Sequence, residues 1–263
     1  MNICMKEAPV KRQEKDKPGL PGIGERFQEE TKYTPAKLAG HYLDWSSMPD
    51  RYKDCAEAIR KVPLPDPQID KTEKFWDVIS RRRSMRHYTA AASLSIRDLA
   101  MLLWATQGIT AASSQFEFRS APSAGGLYPI ETYLMCRNVE TLEPGIYHFR
   151  PHEFDLELIK AGDFGVAFAN AALGQSMVSD APVCFIWTAL VQRSKWKYRQ
   201  RAYRYIYLDA GHIAQNLYLA GTAINLGVCG IGAFFDDHIN NLLGVDGVEE
   251  TVVYLASLGR PDR

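Results

Sequence analysis

An α+β fold is what this sequence predicts, and three observations carry that expectation. Ile130–Arg137 reads as a strand, and Val183–Ala189 as a buried one. A helical pattern runs for more than twenty residues, from about Tyr203 to Leu226. Strand and helix patterns then follow one another in mixed order, without the regular alternation of a βαβ series. The chain has 263 residues, 46% of them hydrophobic and 24% charged, enough for one large domain or two small ones.

Taken in order, residues 1 to about 24 are charged and proline-bearing, which predicts mobility. Glu25 to about Val62 is polar with scattered aromatics (Phe27, Tyr33, Tyr42, Trp45, Tyr52) and reads as an extension wrapped over a larger body. Pro63-Leu64-Pro65-Asp66-Pro67 is a stiff connector. The boundary set there divides the chain into an extension, 1–66, and a core, 67–263. Asp70-x-x-Glu73 has the form of a capping box, opening a helix through Phe75, Val78 and Ile79 to about Arg82. Ser95-x-x-Asp98 opens the next helix, with Leu94 and Leu99 spaced as a hydrophobic staple. Its stripe is Leu99, Leu102, Leu103 and Thr106, and Gly108 ends it. Ile130–Arg137, Gly145–Phe149, Val183–Ala189 and Val252–Leu258 read as strands, and Phe164–Leu173 as a helix. In the long helix Gly211, Ala214, Ala220, Gly221 and Ala223 allow close packing against another helix, and Gly227 ends it.

Composition narrows the function. Lys plus Arg and Asp plus Glu both number 31, so net charge is zero and nothing global favours nucleic acid or an anionic membrane surface. No apolar run approaches the length of a membrane span, and the N-terminus lacks the apolar stretch of a signal peptide, so a cytoplasmic location is expected. Cys4, Cys55, Cys136, Cys184 and Cys229 are widely spaced with no CxxC pair, which favours reduced thiols over disulfides or a zinc site. The six histidines show no metal spacing; His148 and His152 are four apart, but Pro151 intervenes.

Four segments carry the candidate chemistry. Arg119–Pro129 reads RSAPSAGGLYP, and Gly125 and Gly126 let backbone approach a flat or phosphorylated ligand. An ordinary tight connection would use the same residues. Arg82, Arg83, Ser84 and Arg86 suit a phosphate dianion, because guanidinium forks pair with phosphate oxygens. Arg81–Arg83 would equally complement the negative end of a helix dipole. Gly227–Phe234 is a second glycine-rich segment, but it follows a helix and lacks the GxGxxG form of a dinucleotide site. Arg193–Arg204 reads RSKWKYRQRAYR; on charge alone it is a solvated face, while Trp196, Tyr198 and Tyr203 are unusual away from a binding site.

The arginine triplet, the PSAGG loop and the terminal Leu258-Gly259-Arg260-Pro261, in this order, resemble the nitroreductase-like flavoproteins. Within that family the chain is similar to the SagB-type dehydrogenase branch, which includes thiazoline/oxazoline oxidases. The pieces are Gly22–Phe27 (GIGERF), the PSAGGLYP loop, Gly145–Phe149 (GIYHF), Trp196-Lys197-Tyr198 and Gly211–Leu217 (GHIAQNL). The resemblance covers almost everything from Gly22 to Pro261. It implies a mostly antiparallel sheet flanked by helices and a homodimer with FMN at its interface. It implies that Arg82, Arg83, Ser84, Arg86 and Arg260 hold the phosphate and ribityl chain. Pro122, Ser123, Ala124, Gly125 and Gly126, with Gly230, Ile231 and Gly232, would border the isoalloxazine. Many members carry a glutamate about where Gly232 stands. Lys197 and Tyr198 match a Lys-Tyr pair that takes part in proton removal in azoline oxidases. The implied activity is ping-pong hydride transfer through flavin, on a small-molecule or peptide substrate, with NAD(P)H as a candidate reductant. A general NAD(P)H-dependent reductase of nitroaromatics or quinones, and a non-catalytic flavin-binding assembly partner, are the alternatives.

Overall fold

A computed structural model describes residues 22–40, 42–68, 73–89, 92–113 and 116–262. The chain divides into two units, Met1–His41 and Tyr42–Arg263. The described part of the first holds two short helices, α1 (Ile23–Glu30) and α2 (Pro35–Leu38). Thr34 caps α2 by accepting from the Lys37 amide at 3.2 Å, and Pro35 occupies its first turn.

The second unit is built on strands β1 (Arg60–Pro63), β2 (Ile109–Ala112), β3 (Glu117–Arg119), β4 (Ile130–Cys136), β5 (Gly145–Arg150), β6 (Asp155–Ala161), β7 (Val183–Leu190), β8 (Gly227–Ile231) and β9 (Glu250–Gly259). Its helices are α3 (Phe75–Arg81), α4 (Ile96–Gln107), α5 (Gly165–Ala171), α6 (Ser176–Asp180), α7 (Val191–Tyr198), α8 (Ala202–Ala223) and α9 (Asp236–Leu243). Seven strands form one sheet in the order β1-β6-β5-β4-β7-β9-β8, every pair antiparallel; β2 and β3 form a separate hairpin. The mostly antiparallel sheet flanked by helices is as the resemblance implies.

Every residue of β4 is buried, which requires cover on both faces of the sheet. Alternation sends Ile130, Leu134 and Cys136 to one face, where α4 and α8 contribute Leu99, Leu102, Leu103, Ile206, Ile213 and Leu217. Tyr133 and Met135 go to the other face, against Phe168 of α5, Met177 of α6 and Ile239 and Leu243 of α9. The two helical layers have different origins in the sequence. The first uses the long amphipathic patterns, the second uses short helices between strands.

Several elements differ from the sequence expectation. β1, which ends where the Pro63–Pro67 connector begins, pairs with β6 as an edge strand of the sheet. Gly227, expected to end the long helix, instead opens a strand, Gly227–Ile231, paired with β9. Asp155–Ala161 is a strand that the sequence reading did not assign. Asp70 lies outside the described residues; α3 starts at Phe75 with Lys74 as N-cap and no side-chain cap, and Glu73 instead pairs with Arg81 at 2.6 Å. The mobility expected of residues 1 to about 24 concerns positions that mostly lie outside the described residues. By contrast Ser95 caps α4 as expected, accepting from the Asp98 amide at 3.0 Å, and Gly108 follows its last turn.

One end of the second sheet face is polar. Glu131, His148, Glu157, Thr188 and Glu250 are all buried there. Buried polar groups must be paired, and these mostly are. His148 Nε2 meets Glu131 at 2.8 Å, Nδ1 meets Glu157 at 3.1 Å, and Arg193 forms an ion pair with Glu131. Burial alone would raise the Glu131 carboxyl; His148 and Arg193 outweigh it and lower it to about 2. Arg193 is only 4% exposed, so the basic strip is not all surface. Its first arginine fastens α7 to the sheet. Among the described residues no helix is long and apolar enough to cross a membrane.

Removing the α4 cap tests this reading of local structure. Ser95→Ala should lower the unfolding free energy by about 1 kcal/mol in urea titration. An unchanged midpoint would show that packing of the Leu99–Thr106 stripe alone sets the helix start.

Candidate functional site

The glycine-rich loop is built around two positive backbone angles. Gly125 and Gly126 have φ of +65° and +66°, a region that side-chain-bearing residues rarely adopt. The loop is fastened from below by Asp209 of α8. Ser123 Oγ donates to Asp209 Oδ2 at 2.6 Å, and the Ala124 amide donates to Oδ1 at 3.1 Å. Ser123 Oγ in turn accepts from the Tyr128 amide at 2.9 Å. Burial raises the Asp209 pKa, and the bonds from Ser123 and Ala124 only partly offset it. This carboxylate therefore sits in a costly place and spends both oxygens on one loop.

Lys197 and Tyr198 close the last turn of α7 and stand against the same loop. A Cβ placed on Gly125 would overlap the Tyr198 hydroxyl and lie 2.9 Å from Lys197 Nζ. Gly125 is thus glycine twice over, for its backbone angle and for the space these two side-chain tips occupy. Tyr198 packs edge-on against Tyr205 at 4.7 Å between ring centroids, and desolvation raises its phenol. Trp196 belongs to another contact: it packs on Trp45 at 5.3 Å and donates to the Asp44 carbonyl at 2.8 Å.

The arginine-rich segment follows α3 in extended form, bridging Ser84 to Val228 of β8 and Tyr88 to Pro261. Extended chain alternates its side chains, and this divides the predicted phosphate set. Arg82 and Ser84 meet Tyr218 of α8: the Arg82 guanidinium lies 5.3 Å from the ring centroid, and Ser84 Oγ is 3.0 Å from Tyr218 Oη. Arg83 and Met85 line a cavity of about 540 Å³ with Arg81, Asn225 and Arg260. Arg83 there donates to the carbonyls of Ser80 and Arg82, at 3.1 and 2.7 Å. Arg86 is exposed, and its charge acts on Cys229.

Gly230 joins the Arg82–Ser84 group. Its amide donates to Tyr218 Oη at 2.6 Å, and a Cβ there would overlap the Tyr254 hydroxyl. Ile231 is only 2% exposed and packs in the core, leaving its backbone at the site; Gly232 is exposed. The predicted residues therefore form two groups. One is the PSAGG loop with Lys197 and Tyr198, anchored on Asp209. The other is Arg82, Ser84 and Gly230, gathered at Tyr218, with Arg83 and Arg260 in the adjoining cavity. Asp209 and Tyr218 are nine residues apart on α8, which places them roughly 180° around the helix and about 13.5 Å along it.

Asp209, Tyr218 and Tyr254 were not singled out from the sequence. For Asp209 a signal existed: it is the one carboxylate in an otherwise apolar stretch, Ile206–Gly211, of a helix destined for the core. Such a carboxylate must find donors.

The nitroreductase family profile matches residues 79–260. A Methanocaldococcus jannaschii protein named as a nitroreductase is 35% identical over 200 residues, 76% of this chain and 96% of that one. The microcin B17-processing protein McbC of Escherichia coli is 28% identical over 134 residues, 49% of each chain. The trifolitoxin operon protein TfxC of Rhizobium leguminosarum is 29% identical over 162 residues, 57% of this chain and 45% of that one. This chain thus spans about half the length of McbC and TfxC. Among solved structures, a nitroreductase of Anabaena variabilis superposes with a TM-score of 0.75 at 29% identity, over 94% of this chain and 49% of that one. The Escherichia coli McbBCD complex with truncated pro-MccB17 contains a chain of the same fold, with a TM-score of 0.62 at 19% identity, over 90% of this chain and 87% of that one.

The Asp209 anchor makes a testable distinction. Asp209→Ala should cost about 1.5–3 kcal/mol in urea unfolding, since it strands a buried amide and hydroxyl. Asp209→Asn should lose less than half as much, because it keeps an acceptor and removes the buried charge. Equal losses would show that the carboxylate's charge, and not its shape, holds the loop.

Proposed function

This chain belongs to the nitroreductase family, and on that footing we propose that it is an FMN-dependent dehydrogenase of the SagB type. The observation that carries the proposal is the meeting of Lys197 and Tyr198 at Gly125. A lysine and a phenol, brought together against a loop that only glycine can form, are a proton-handling pair beside a surface suited to a flat ligand. Resemblance to the azoline oxidases, together with similarity to the microcin B17-processing protein McbC, favours a peptide-borne azoline ring as substrate.

The residues present fit FMN. Arg82, Ser84, Arg86, Arg83 and Arg260 supply donors for a phosphate and ribityl chain, and a cavity of about 540 Å³ adjoins them. Pro122–Gly126 and Gly230–Gly232 offer backbone with little side chain to border the ring. Bound FMN supplies the hydride acceptor and passes the electrons on to a second substrate. Converting an azoline ring to its aromatic form removes one hydride and one proton. Lys197 and Tyr198 take and hold that proton, Asp209 keeps the loop in register, and Tyr218 keeps Ser84 and the Gly230 amide in place.

The two residue groups also support a homodimer. Within one chain they leave opposite sides of α8, and the strip between them carries Tyr207 and Leu208, 56% and 58% exposed, beside exposed Gly211 and His212. A second copy seated on that strip would bring its own PSAGG loop toward the first copy's Arg82–Gly230 group. One flavin would then draw on both chains.

A second reading, reduction of nitroaromatics or quinones by NAD(P)H, is favoured by the Methanocaldococcus jannaschii relative, which this chain covers almost fully. Steady-state turnover with NADPH and a quinone separates it from the first. For the dehydrogenase, Lys197→Ala and Tyr198→Phe should leave the flavin spectrum unchanged. Flavin reduction by a thiazoline-bearing peptide should fall by roughly 10²–10⁴-fold, while reduction by dithionite stays at the wild-type rate. Wild-type rates with the peptide in both variants would remove the pair from the reaction. Loss of flavin in both would assign it to cofactor binding instead.

A further inference from the structure

Three side chains that no part of the flavin site uses converge at the polar end of the second sheet face. They are Cys55, from the segment before β1, His148 of β5 and Glu157 of β6. One ligand atom from each, a sulfur, a ring nitrogen and a carboxylate oxygen, lies within 4.8 Å of both others. His148 and Glu157 are directly opposite on the β5–β6 ladder, which fixes two of the donors on rigid backbone. Both are fully buried, while Cys55 is half-buried and gives the cluster an opening to solvent.

Four further observations point to a cation. Glu157 Oε1 is buried without a hydrogen bond. The charges facing it, Lys61 and Arg150, stop at 3.6 Å. Arg150 is already bound by Asp155 and Asp54, and Lys61 is half exposed. His148 presents Nδ1 to the cluster at 3.1 Å from Glu157 Oε2, close to the roughly 3.3 Å that two atoms bound to one zinc ion take. Its other nitrogen, Nε2, meets the Glu131 carboxylate at 2.8 Å, the outer partner that metal-bound histidines usually have. Arg193 in turn pairs with Glu131.

We propose that Cys55, His148 and Glu157 form a binding site for a zinc ion, with Glu131 as outer partner to His148. Mixed sulfur, nitrogen and oxygen donors select zinc over magnesium or calcium, which take oxygen sets. Glu157 can bind through both oxygens, which engages Oε1, now held by ion pairs alone, and completes four donor atoms. Binding exchanges the dipositive ion for the protons of the thiol and of Nδ1, so the buried charge does not change. Sulfur must draw in by about 1 Å to reach zinc bonding distance, and it is carried by a segment without helix or strand. The ion would tie that segment to β5 and β6, on the same polar cluster that fastens α7 through Arg193.

The test is zinc binding by the whole flavin-loaded protein after chelator treatment, read by elemental analysis and calorimetric titration. The wild type should take up one zinc per chain, with a rise in thermal midpoint. Cys55→Ser should weaken binding by more than the roughly 10–100-fold of an outer-shell partner and abolish that rise. It should leave flavin content and the zinc-free thermal midpoint at wild-type values, which excludes misfolding as the cause. Stoichiometric zinc retained by Cys55→Ser, or no zinc taken up by the wild type, would overturn the site. Neither result bears on the flavin assignment.

Discussion

The burial of β4 on both faces is the constraint from which the rest of the molecule follows. A strand with no exposed residue leaves no face for a ligand over the middle of the sheet. The proposed functional groups therefore stand at its ends and along its covering helices. The PSAGG loop sits immediately before β4, at the point where the chain enters the buried layer. Any charge at that depth must carry its partners with it. Glu131 does so with Arg193 and His148, and Asp209 with Ser123 and Ala124. Both arrangements fasten elements that the proposed chemistry needs held still: α7, which carries Lys197 and Tyr198, and the loop they face.

The long helix α8 serves both halves of the proposed site. Its inward face packs on the sheet through Ile206, Ile213 and Leu217. Asp209 and Tyr218 then hold one residue group each, on opposite sides of the helix. A ligand touching both groups needs either an unusual path around α8 or a second chain. The proposed homodimer would supply that second chain, seated on the intervening strip with exposed Tyr207 and Leu208.

Much of this was legible in the sequence, for identifiable reasons. Helix α4 announced itself through Ser95, Asp98 and a regular leucine stripe, and the structure returns the cap itself. The central strand β7 is an almost continuous apolar run, the pattern of a doubly covered sheet. Positive angles at Gly125 and Gly126 are the physical content of the glycine pair that the loop displayed. What stayed hidden depends on tertiary pairing. The strand Gly227–Ile231 was hidden because its glycines make room for Met85 and Tyr254, contacts that no local pattern encodes. Arg193 was indistinguishable from its solvated neighbours until Glu131 stood opposite it. The extended backbone after α3 sends Arg82 and Arg83 to different sides, a division that a list of arginines does not reveal. Cys55, His148 and Glu157 are far apart in sequence, and no spacing rule links them.

Native mass spectrometry of the protein purified without added cofactor tests the central claim most directly, because one spectrum reports assembly and ligand together. The account predicts a particle of two chains carrying two FMN molecules, with flavin and dimer lost together on activation. A single chain that retains FMN, or a dimer with no flavin after incubation with excess FMN, would contradict it.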